Sequence, residues 1–171
     1  MYPAPFDYHR PSSVGEAADL LKSNPDAKLL AGGHSLLPAM KFRLADASAL
    51  IDIGGIEELA GVSNDGKAST IGAMTTYSDI AASPDVGVGC PILVEAVLQI
   101  GDLQVRNRGT IGGSLAHADP AADLPTVMVA CGATMTLQGA GGSSREVGAD
   151  DFFVISNYNR FNLVVIIAIR L

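Results

Sequence analysis

The sequence contains two pairs of adjacent glycines that each follow an apolar run and have a serine within two residues after them. The first is AGGHS, residues Ala31 to Ser35, and the second is TIGGS, residues Thr110 to Ser114. Glycine adopts positive φ and carries no Cβ, so successive backbone N–H groups in such turns can form a concave anion site. We expect the hydroxyls of Ser35 and Ser114 to add donors. Two such turns suit a diphosphate better than a single phosphate, although tight strand exits without a ligand fit the same residues.

The second glycine pair lies in a polar segment, QVRNRGTIGGSLAHADPAADLP. Dense polar side chains in a connecting segment are typical of function. Two further readings use this segment: a metal site from His34, His117 and Asp119, and a hydrolase triad using Ser35 or Ser114. Neither an H-x-x-x-H pair nor a G-x-S-x-G motif accompanies them. The sequence also contains neither G-x-x-x-x-G-K-[ST] nor G-x-G-x-x-G, so P-loop and Rossmann mechanisms are not supported.

The composition indicates a folded protein with no nucleic-acid partner. Of the 171 residues, 48% are hydrophobic and only 17% are charged, and the net charge is -7. A chain of this length forms one domain or two small ones packed together, and neutralising phosphates needs clustered Lys and Arg. Cys90 and Cys131 stand far apart in the sequence, too few for an iron–sulfur cluster or a Cys-only zinc site, and we expect buried, reduced thiols. Because the N-terminus lacks a signal-peptide pattern and the longest apolar run, Leu163 to Ile169, is too short to cross a membrane, we predict a cytosolic protein.

The elements that must position the glycine pairs can be read from the apolar spacing. A capping box formed by Ser13 and Glu16 starts a helix with apolar residues at 14, 17, 18 and 21. The strand AKLLA enters the first glycine pair, and a second strand, ALIDIGG, ends in a third pair, Gly54–Gly55. The segment ASTIGAMT predicts another strand, followed by a Thr- or Ser-capped helix, TYSDIAASP.

The second half of the chain predicts two helices and a hairpin. PILVEAVLQIGD has apolar residues at 93, 96, 97 and 100, and DLPTVMVACG has them at 124, 127, 128 and 131, with Asp123 as N-cap. ATMTLQG and LVVIIAIRL predict strands, with a hairpin tip, GAGGSS, after the first. Strands and helices mix without strict βαβ alternation, so the class is α+β. A compositional change near Ile56 predicts two lobes, 1–55 and 56–171, with a cleft between them.

Four segments carry a resemblance to a known family: LLAGGHSLLPAMKFR, LIDIGGI, TIGAMTTYSDI and QVRNRGTIGGSLAHADPAADLP. They resemble the FAD-binding medium subunits of molybdenum hydroxylases, in particular those of the aerobic carbon monoxide dehydrogenase type, from about Phe6 to Phe153. The resemblance implies a two-lobed FAD-binding fold of the PCMH type, with a small N-terminal α/β lobe and a larger lobe built on a mixed or antiparallel sheet. The resemblance also implies a longer subunit with a third, C-terminal domain, which we expect to lie outside these 171 residues, and the segment after Phe153 departs from the family pattern.

The resemblance also implies which residues bind the cofactor. The first FAD loop would be Leu29 to Leu36 and the second Thr110 to Ser114, with Asp123 near the ribose or ribityl region, Ile100 near the adenine or the ring system, and Thr75 as a further cofactor-side position. The complete set is Leu29, Leu30, Ala31, Gly32, Gly33, His34, Ser35, Leu36, Thr75, Ile100, Thr110, Ile111, Gly112, Gly113, Ser114 and Asp123. No residue of this chain is expected to act as a general acid or base.

The function that the resemblance implies is electron transfer through FAD. A small partner subunit with two 2Fe–2S clusters would deliver single electrons, and a large partner subunit would carry the molybdenum–pterin cofactor and oxidise the substrate. The external acceptor would be a quinone, oxygen or NAD, and the assembly a dimer of heterotrimers, a heterohexamer, in the cytoplasm or at the inner face of the membrane.

Other functions stay open on the residues alone. The partner subunit's substrate could equally be an N-heteroaromatic compound or a purine. A non-enzymatic anion- or nucleotide-binding module would keep the glycine turns without a flavin. A flavin oxidase acting alone would be expected to attach its flavin covalently through a histidine such as His34.

Overall fold

A computed structural model describes residues 2–153 and 164–171. Within that part of the chain the first sheet is three-stranded and parallel, in the order β1-β3-β2. Its strands are β1 (Asp7–His9), β2 (Lys28–Leu30) and β3 (Ala49–Asp52). The register pairs Leu30 with Asp52. Because the strands are parallel, the segments that follow them leave from one edge of the sheet, and the first glycine pair is one of these segments.

The second sheet follows in sequence and is antiparallel. In the described residues it has five strands in the order β4-β5-β8-β6-β7. They are β4 (Val62–Asn64), β5 (Ser69–Gly72), β6 (Thr134–Gly139), β7 (Ser144–Gly148) and β8 (Val164–Arg170). The predicted hairpin is confirmed, since β6 and β7 pair across the turn Ala140–Gly142. The predicted strands are also confirmed, except that Leu163 lies outside the described residues.

Helices cover the sheets and connect their strands. They are α1 (Val14–Ser23), α2 (Leu36–Lys41), α3 (Tyr77–Ala82), α4 (Pro84–Gly89), α5 (Pro91–Gln99), α6 (Leu103–Arg106), α7 (Ile111–His117), α8 (Asp123–Ala130) and α9 (Ala149–Phe152), and a 3-10 turn covers Glu57–Leu59. The parallel and antiparallel sheets with these helices confirm the α+β class.

Helix α1 packs against both sheets. Its predicted apolar positions are all buried, and they share one core cluster with Ile51 of β3 and Val165 of β8. The Ser13 side chain accepts from the Glu16 amide at 3.3 Å, whereas the Glu16 carboxylate accepts from the amide of Ser12 rather than Ser13, so only half of the capping box forms as predicted. The chain passes from the first sheet to the second between β3 and β4. Helix α1 packs against both sheets, and the division into lobes 1–55 and 56–171 stays a prediction.

The larger core lies between the second sheet and helices α3, α5, α7 and α8. The predicted apolar faces of α5 and α8 are confirmed: Leu93, Val97, Leu124 and Met128 are at most 1% exposed. One capping prediction is wrong, because Ala122 is the N-cap of α8 and Asp123 is its first helical residue. The Asp123 carboxylate is therefore not occupied by capping and stays exposed.

The two cysteines are not far apart in space. Cys90 precedes α5 and Cys131 follows α8, and their Sγ atoms lie 3.3 Å apart. Both are free thiols; Cys90 is buried, as expected, whereas Cys131 is only half-buried. The separation of 41 residues gives no local signal of this contact. In the part of the chain that the structure describes, no helix is both long and apolar enough to span a membrane.

Candidate functional site

The two glycine turns, distant in sequence, lie against each other. A Cβ added at Gly32 would overlap the backbone carbonyl oxygen of Arg108, just before the second turn. A Cβ added at Gly113 would lie 3.5 Å from the Cβ of Ala31. Backbones can approach this closely only where side chains are absent. The fold therefore brings the two predicted loops into contact.

The first turn presents unpaired backbone donors to the surface. Across residues 2–153 and 164–171, the amide N–H groups of Gly33, His34 and Ser35 donate to no protein acceptor. The Ser35 hydroxyl makes no capping hydrogen bond to α2, and both His34 and Ser35 are exposed. Consecutive free amides beside a helix N-terminus attract an anion, because each carries a partial positive charge. The turn therefore offers donors of the kind that a phosphate accepts from, and FAD binding by these residues stays a prediction.

Gly33 is required for the shape of the first turn. Its φ is +77°, a conformation that residues with a Cβ rarely adopt. A Cβ there would meet the side chains of Leu37 at 2.9 Å and Leu30 at 3.2 Å. A larger residue at Gly33 would thus clash with this chain itself.

The second turn is held by the segment that joins β5 to α3. The amides of Ile111 and Gly112 donate to the carbonyl oxygens of Thr75 (3.1 Å) and Ala73 (2.9 Å), and that of Gly113 to the Thr110 hydroxyl at 3.2 Å. The expectation that both turns offer open amides is therefore wrong for the second turn. These backbone donors are consumed in fixing the start of α7, and Ile111 and Gly112 are buried.

Ser114 adds a side-chain hydroxyl to the second turn. Its side chain is half-buried beside the ring of Tyr77, which the sequence analysis did not single out. Burial raises the pKa of Tyr77, and a hydrogen bond with the Ser114 side chain partly opposes that rise. The Tyr77 ring also closely faces Gly109, where an added Cβ would lie 2.5 Å from the ring. No sequence signal marks this tyrosine, because its partners belong to a distant segment.

Thr75 acts within the protein rather than at its surface. It is 2% exposed, and its hydroxyl both donates to the Gly61 carbonyl and accepts from the Gly61 amide, each at 2.9 Å. The side chain has no free hydrogen-bonding group to direct at a ligand. Its connection to the site is indirect, through the carbonyl that holds Ile111.

Ile100 and Asp123 lie at neighbouring helix ends. Ile100 is the half-buried C-cap of α5, and its carbonyl oxygen accepts from the Arg106 guanidinium at 2.6 Å. Asp123 lines a groove of about 550 Å³ between α5 and α8, together with Glu95, Gln99 and Thr126. The two residues thus lie on the helix pair that borders this groove.

The flanks of the first turn are partly buried. Leu29 and Ala31 pack against the α1 core, whereas Leu30 and Leu36 pack against a small cluster around Met40. These residues support the turn through packing.

The metal-site alternative finds no support in the described residues. Within these residues, no three His, Cys, Asp or Glu side chains are grouped to hold a metal ion, so His34, His117 and Asp119 do not form such a site. His34 instead places Nδ1 3.2 Å from the Gly32 carbonyl of its own turn.

Comparisons with known proteins agree with this geometry. Residues 4–169 match the family described as FAD binding domain in molybdopterin dehydrogenase. The chain is 52% identical to the carbon monoxide dehydrogenase medium chain of Hydrogenophaga pseudoflava, over 90% of this chain and 54% of that one. It is 44% identical to the glyceraldehyde dehydrogenase medium chain of Sulfolobus acidocaldarius, with the same coverage. The chain thus spans about half the length of the curated relatives it matches.

Solved structures show the same fold. Carbon monoxide dehydrogenase from Hydrogenophaga pseudoflava superimposes with a TM-score of 0.93 at 47% identity, covering 100% of this chain and 60% of the other. Quinoline 2-oxidoreductase from Pseudomonas putida 86 gives a TM-score of 0.91 at 35% identity, with the same coverage. The chain belongs to the family of FAD binding domains in molybdopterin dehydrogenases.

Proposed function

We propose that this chain is the FAD-binding part of the medium subunit of a molybdenum-containing hydroxylase of the carbon monoxide dehydrogenase type. The observation that carries the proposal is the contact between the two glycine turns, one of which presents three open amides. A diphosphate at that contact would find backbone donors from Gly33, His34 and Ser35 on one side. The Ser114 hydroxyl would approach from the other.

The residues present fit a flavin dinucleotide in their chemistry. In an acidic chain with few lysines, the open backbone amides of the first turn supply the positive potential that an anion needs. Asp123 carries an exposed carboxylate that can accept from sugar or ribityl hydroxyls. Ile100 offers an apolar surface at the same pair of helices. Thr75 and Arg106 would act as positioning residues.

FAD, when bound, accepts electrons singly and releases them singly or in pairs. The chain's own task is to bind and orient it, and none of its side chains is assigned a proton transfer. We propose that 2Fe–2S clusters in a small partner subunit supply the electrons, that a large partner subunit holds the molybdenum–pterin cofactor, and that two such heterotrimers pair. The acceptor would be a quinone, oxygen or NAD, and the location the cytoplasm or the inner face of the membrane.

A second candidate is the medium subunit of a related dehydrogenase for N-heteroaromatic compounds or purines. It is favoured by the 42% identity to the nicotine 6-hydroxylase medium subunit of Paenarthrobacter nicotinovorans and by the quinoline 2-oxidoreductase fold. Purifying the native assembly and testing carbon monoxide, quinoline and a purine as reductants of its flavin would separate the two candidates.

The first experiment is an absorption spectrum of the natively purified protein before and after acid precipitation. We expect flavin bands whose colour moves into the supernatant as FAD. Colour kept in the pellet would indicate covalent attachment and favour a flavin oxidase that uses His34. A colourless protein that also fails to bind added FAD would overturn the proposal and leave a nucleotide-binding module, which ADP titration would detect.

A further inference from the structure

Cys90 and Cys131 form a preorganised pair of thiols. Their Sγ atoms are 3.3 Å apart, about 1 Å beyond the length of a disulfide bond. Both backbones are fixed: the Cys90 amide donates to Val86 at 2.8 Å and the Cys131 amide to Val127 at 2.9 Å. Small changes in the two side-chain torsions would close the remaining gap.

A disulfide bond between the two cysteines would join two helices. Cys90 is the N-cap of α5 and Cys131 the C-cap of α8, so these helices pack with opposite directions. A bond would close a loop that contains α5 to α8, including the second glycine turn. The thiols belong to neither glycine turn, and the proposed flavin site does not use them.

Exposure gives the two thiols different roles. Cys131 is half-buried and is followed by the exposed Gly132, whereas Cys90 is 5% exposed and belongs to the main core. A small oxidant therefore reaches Cys131 first. Cys90 is already within contact distance to react with the oxidised sulfur.

We propose that Cys90 and Cys131 are a reversible dithiol–disulfide site that hydrogen peroxide oxidises. The Cys131 thiol loses its proton, its sulfur attacks one peroxide oxygen, the O–O bond breaks, and a sulfenic acid forms, with water from the released hydroxide and the proton. Burial and the neighbouring Cys90 raise the pKa of Cys131, so its thiolate is a minor species at neutral pH and this step is slow. The Cys90 sulfur then attacks the Cys131 sulfur, the S–O bond breaks, and the hydroxide leaves as water with the Cys90 proton. The two thiols lose two electrons and peroxide gains them, giving one disulfide and two waters.

A disulfide would link α5 covalently to α8 and reduce the conformational entropy of the unfolded chain. For a loop of this length in a protein of this size, the expected rise in melting temperature is about 10 °C. A dithiol reductant returns both thiols and reverses the shift. The site would thus stabilise the helical layer under oxidative conditions.

The test uses the full-length, natively purified protein, first reduced and then treated with hydrogen peroxide at pH 8. Non-reducing peptide mapping should find a disulfide-linked peptide pair that contains Cys90 and Cys131. Thermal denaturation should show the rise in melting temperature, and dithiothreitol should reverse both changes. Three results would each overturn the proposal. They are overoxidation of Cys131 to sulfinic acid without the Cys90–Cys131 link, thiols that stay unmodified, and a link that forms only in urea.

Matched variants assign the roles of the two sulfurs. Cys90→Ser should leave a Cys131 sulfenic acid that dimedone traps, with no shift in melting temperature. Cys131→Ser should protect Cys90 from peroxide. Dimedone labelling of Cys90 in that variant, at the rate seen for Cys131, would contradict the assigned order, and the wild-type mapping decides the proposal even where a variant fails to fold.

Discussion

The hydroxyl of Thr75 makes two hydrogen bonds with one residue, donating to the carbonyl of Gly61 and accepting from its amide, each at 2.9 Å. The Thr75 carbonyl in turn accepts from the Ile111 amide at 3.1 Å. A buried side chain in the segment that joins β5 to α3 thereby supports the start of α7, where the second glycine turn lies.

Thr75→Val keeps the shape of this side chain but removes both hydrogen bonds. We expect a loss of about 1 kcal/mol in the free energy of unfolding, because the Gly61 amide loses its acceptor, whereas the Gly61 carbonyl still accepts from the Gly72 amide at 2.9 Å. Urea denaturation measures the loss. Thr75→Ser, which keeps the hydroxyl, should retain most of the stability, and an equal loss in both variants would show that the methyl group rather than the hydroxyl matters.

Ser35→Ala tests the first turn without disturbing the fold. The Ser35 side chain is exposed and makes no capping hydrogen bond, so we expect unchanged stability. If its hydroxyl donates to a phosphate oxygen, FAD affinity should fall about 10- to 100-fold. Flavin fluorescence titration of the apoprotein gives the affinity.

The control for that substitution is Ser63→Ala, at an exposed position in β4 away from both turns. Its FAD affinity should equal that of the wild type. Unchanged affinity in Ser35→Ala would remove the hydroxyl from the binding site and leave only the backbone amides.

Gly32→Ala tests the contact between the turns. The added methyl group would overlap the Arg108 carbonyl, which is backbone and cannot rotate away. We expect the free energy of unfolding to fall by about 2 kcal/mol or more, and FAD affinity to fall with it as the turns separate. Thermal denaturation and flavin titration measure the two effects.

Gly15→Ala is the matched control, since a Cβ there meets nothing within 4 Å and Gly15 lies inside α1. It should stabilise the protein by about 0.5 kcal/mol, because alanine has the higher helix propensity. If Gly32→Ala were as well tolerated as Gly15→Ala, the close approach of the two turns would be refuted.

The thiol pair predicts a pH dependence at alkaline pH. Burial, together with the neighbouring Cys90, raises the pKa of Cys131 from 9.0 to about 11. The unfolded thiol ionises first, so the contribution of Cys131 to stability is complete below pH 9 and is lost as pH rises through about 11. Urea denaturation under reducing conditions at pH 8 and pH 10 detects this loss.

Other groups also titrate between pH 8 and pH 10, so the change in the free energy of unfolding is compared between the wild type and Cys131→Ser. The wild type should lose more stability than this variant between the two pH values. The loss of stability in Cys90→Ser should lie between those of the wild type and Cys131→Ser, because this substitution removes part of the cause of the raised Cys131 pKa. Equal pH slopes in the wild type and Cys131→Ser would contradict the raised pKa.

The sequence by itself determined most of the secondary structure and the family. Apolar spacing identified α1, α5 and α8, because one face of each helix must be buried, and alternation with turn residues identified the β6–β7 hairpin. The glycine turns and the segments around them carried the resemblance, since their backbone conformations depend on residue types that are visible in the chain. Cys90 and Cys131, in contrast, gave no local sign of their contact.

Only the tertiary structure decided which donors are free. The sequence treats the two glycine turns as equivalent, but the amides of Ile111 and Gly112 are consumed by Thr75 and Ala73, which approach from another part of the chain. Asp123 is likewise the first residue of α8 rather than its N-cap, and the N-cap Ala122 makes no side-chain capping hydrogen bond. Hydrogen-bond partners and sulfur contacts between distant segments depend on how helices and sheets pack, and no local pattern of residues records that packing.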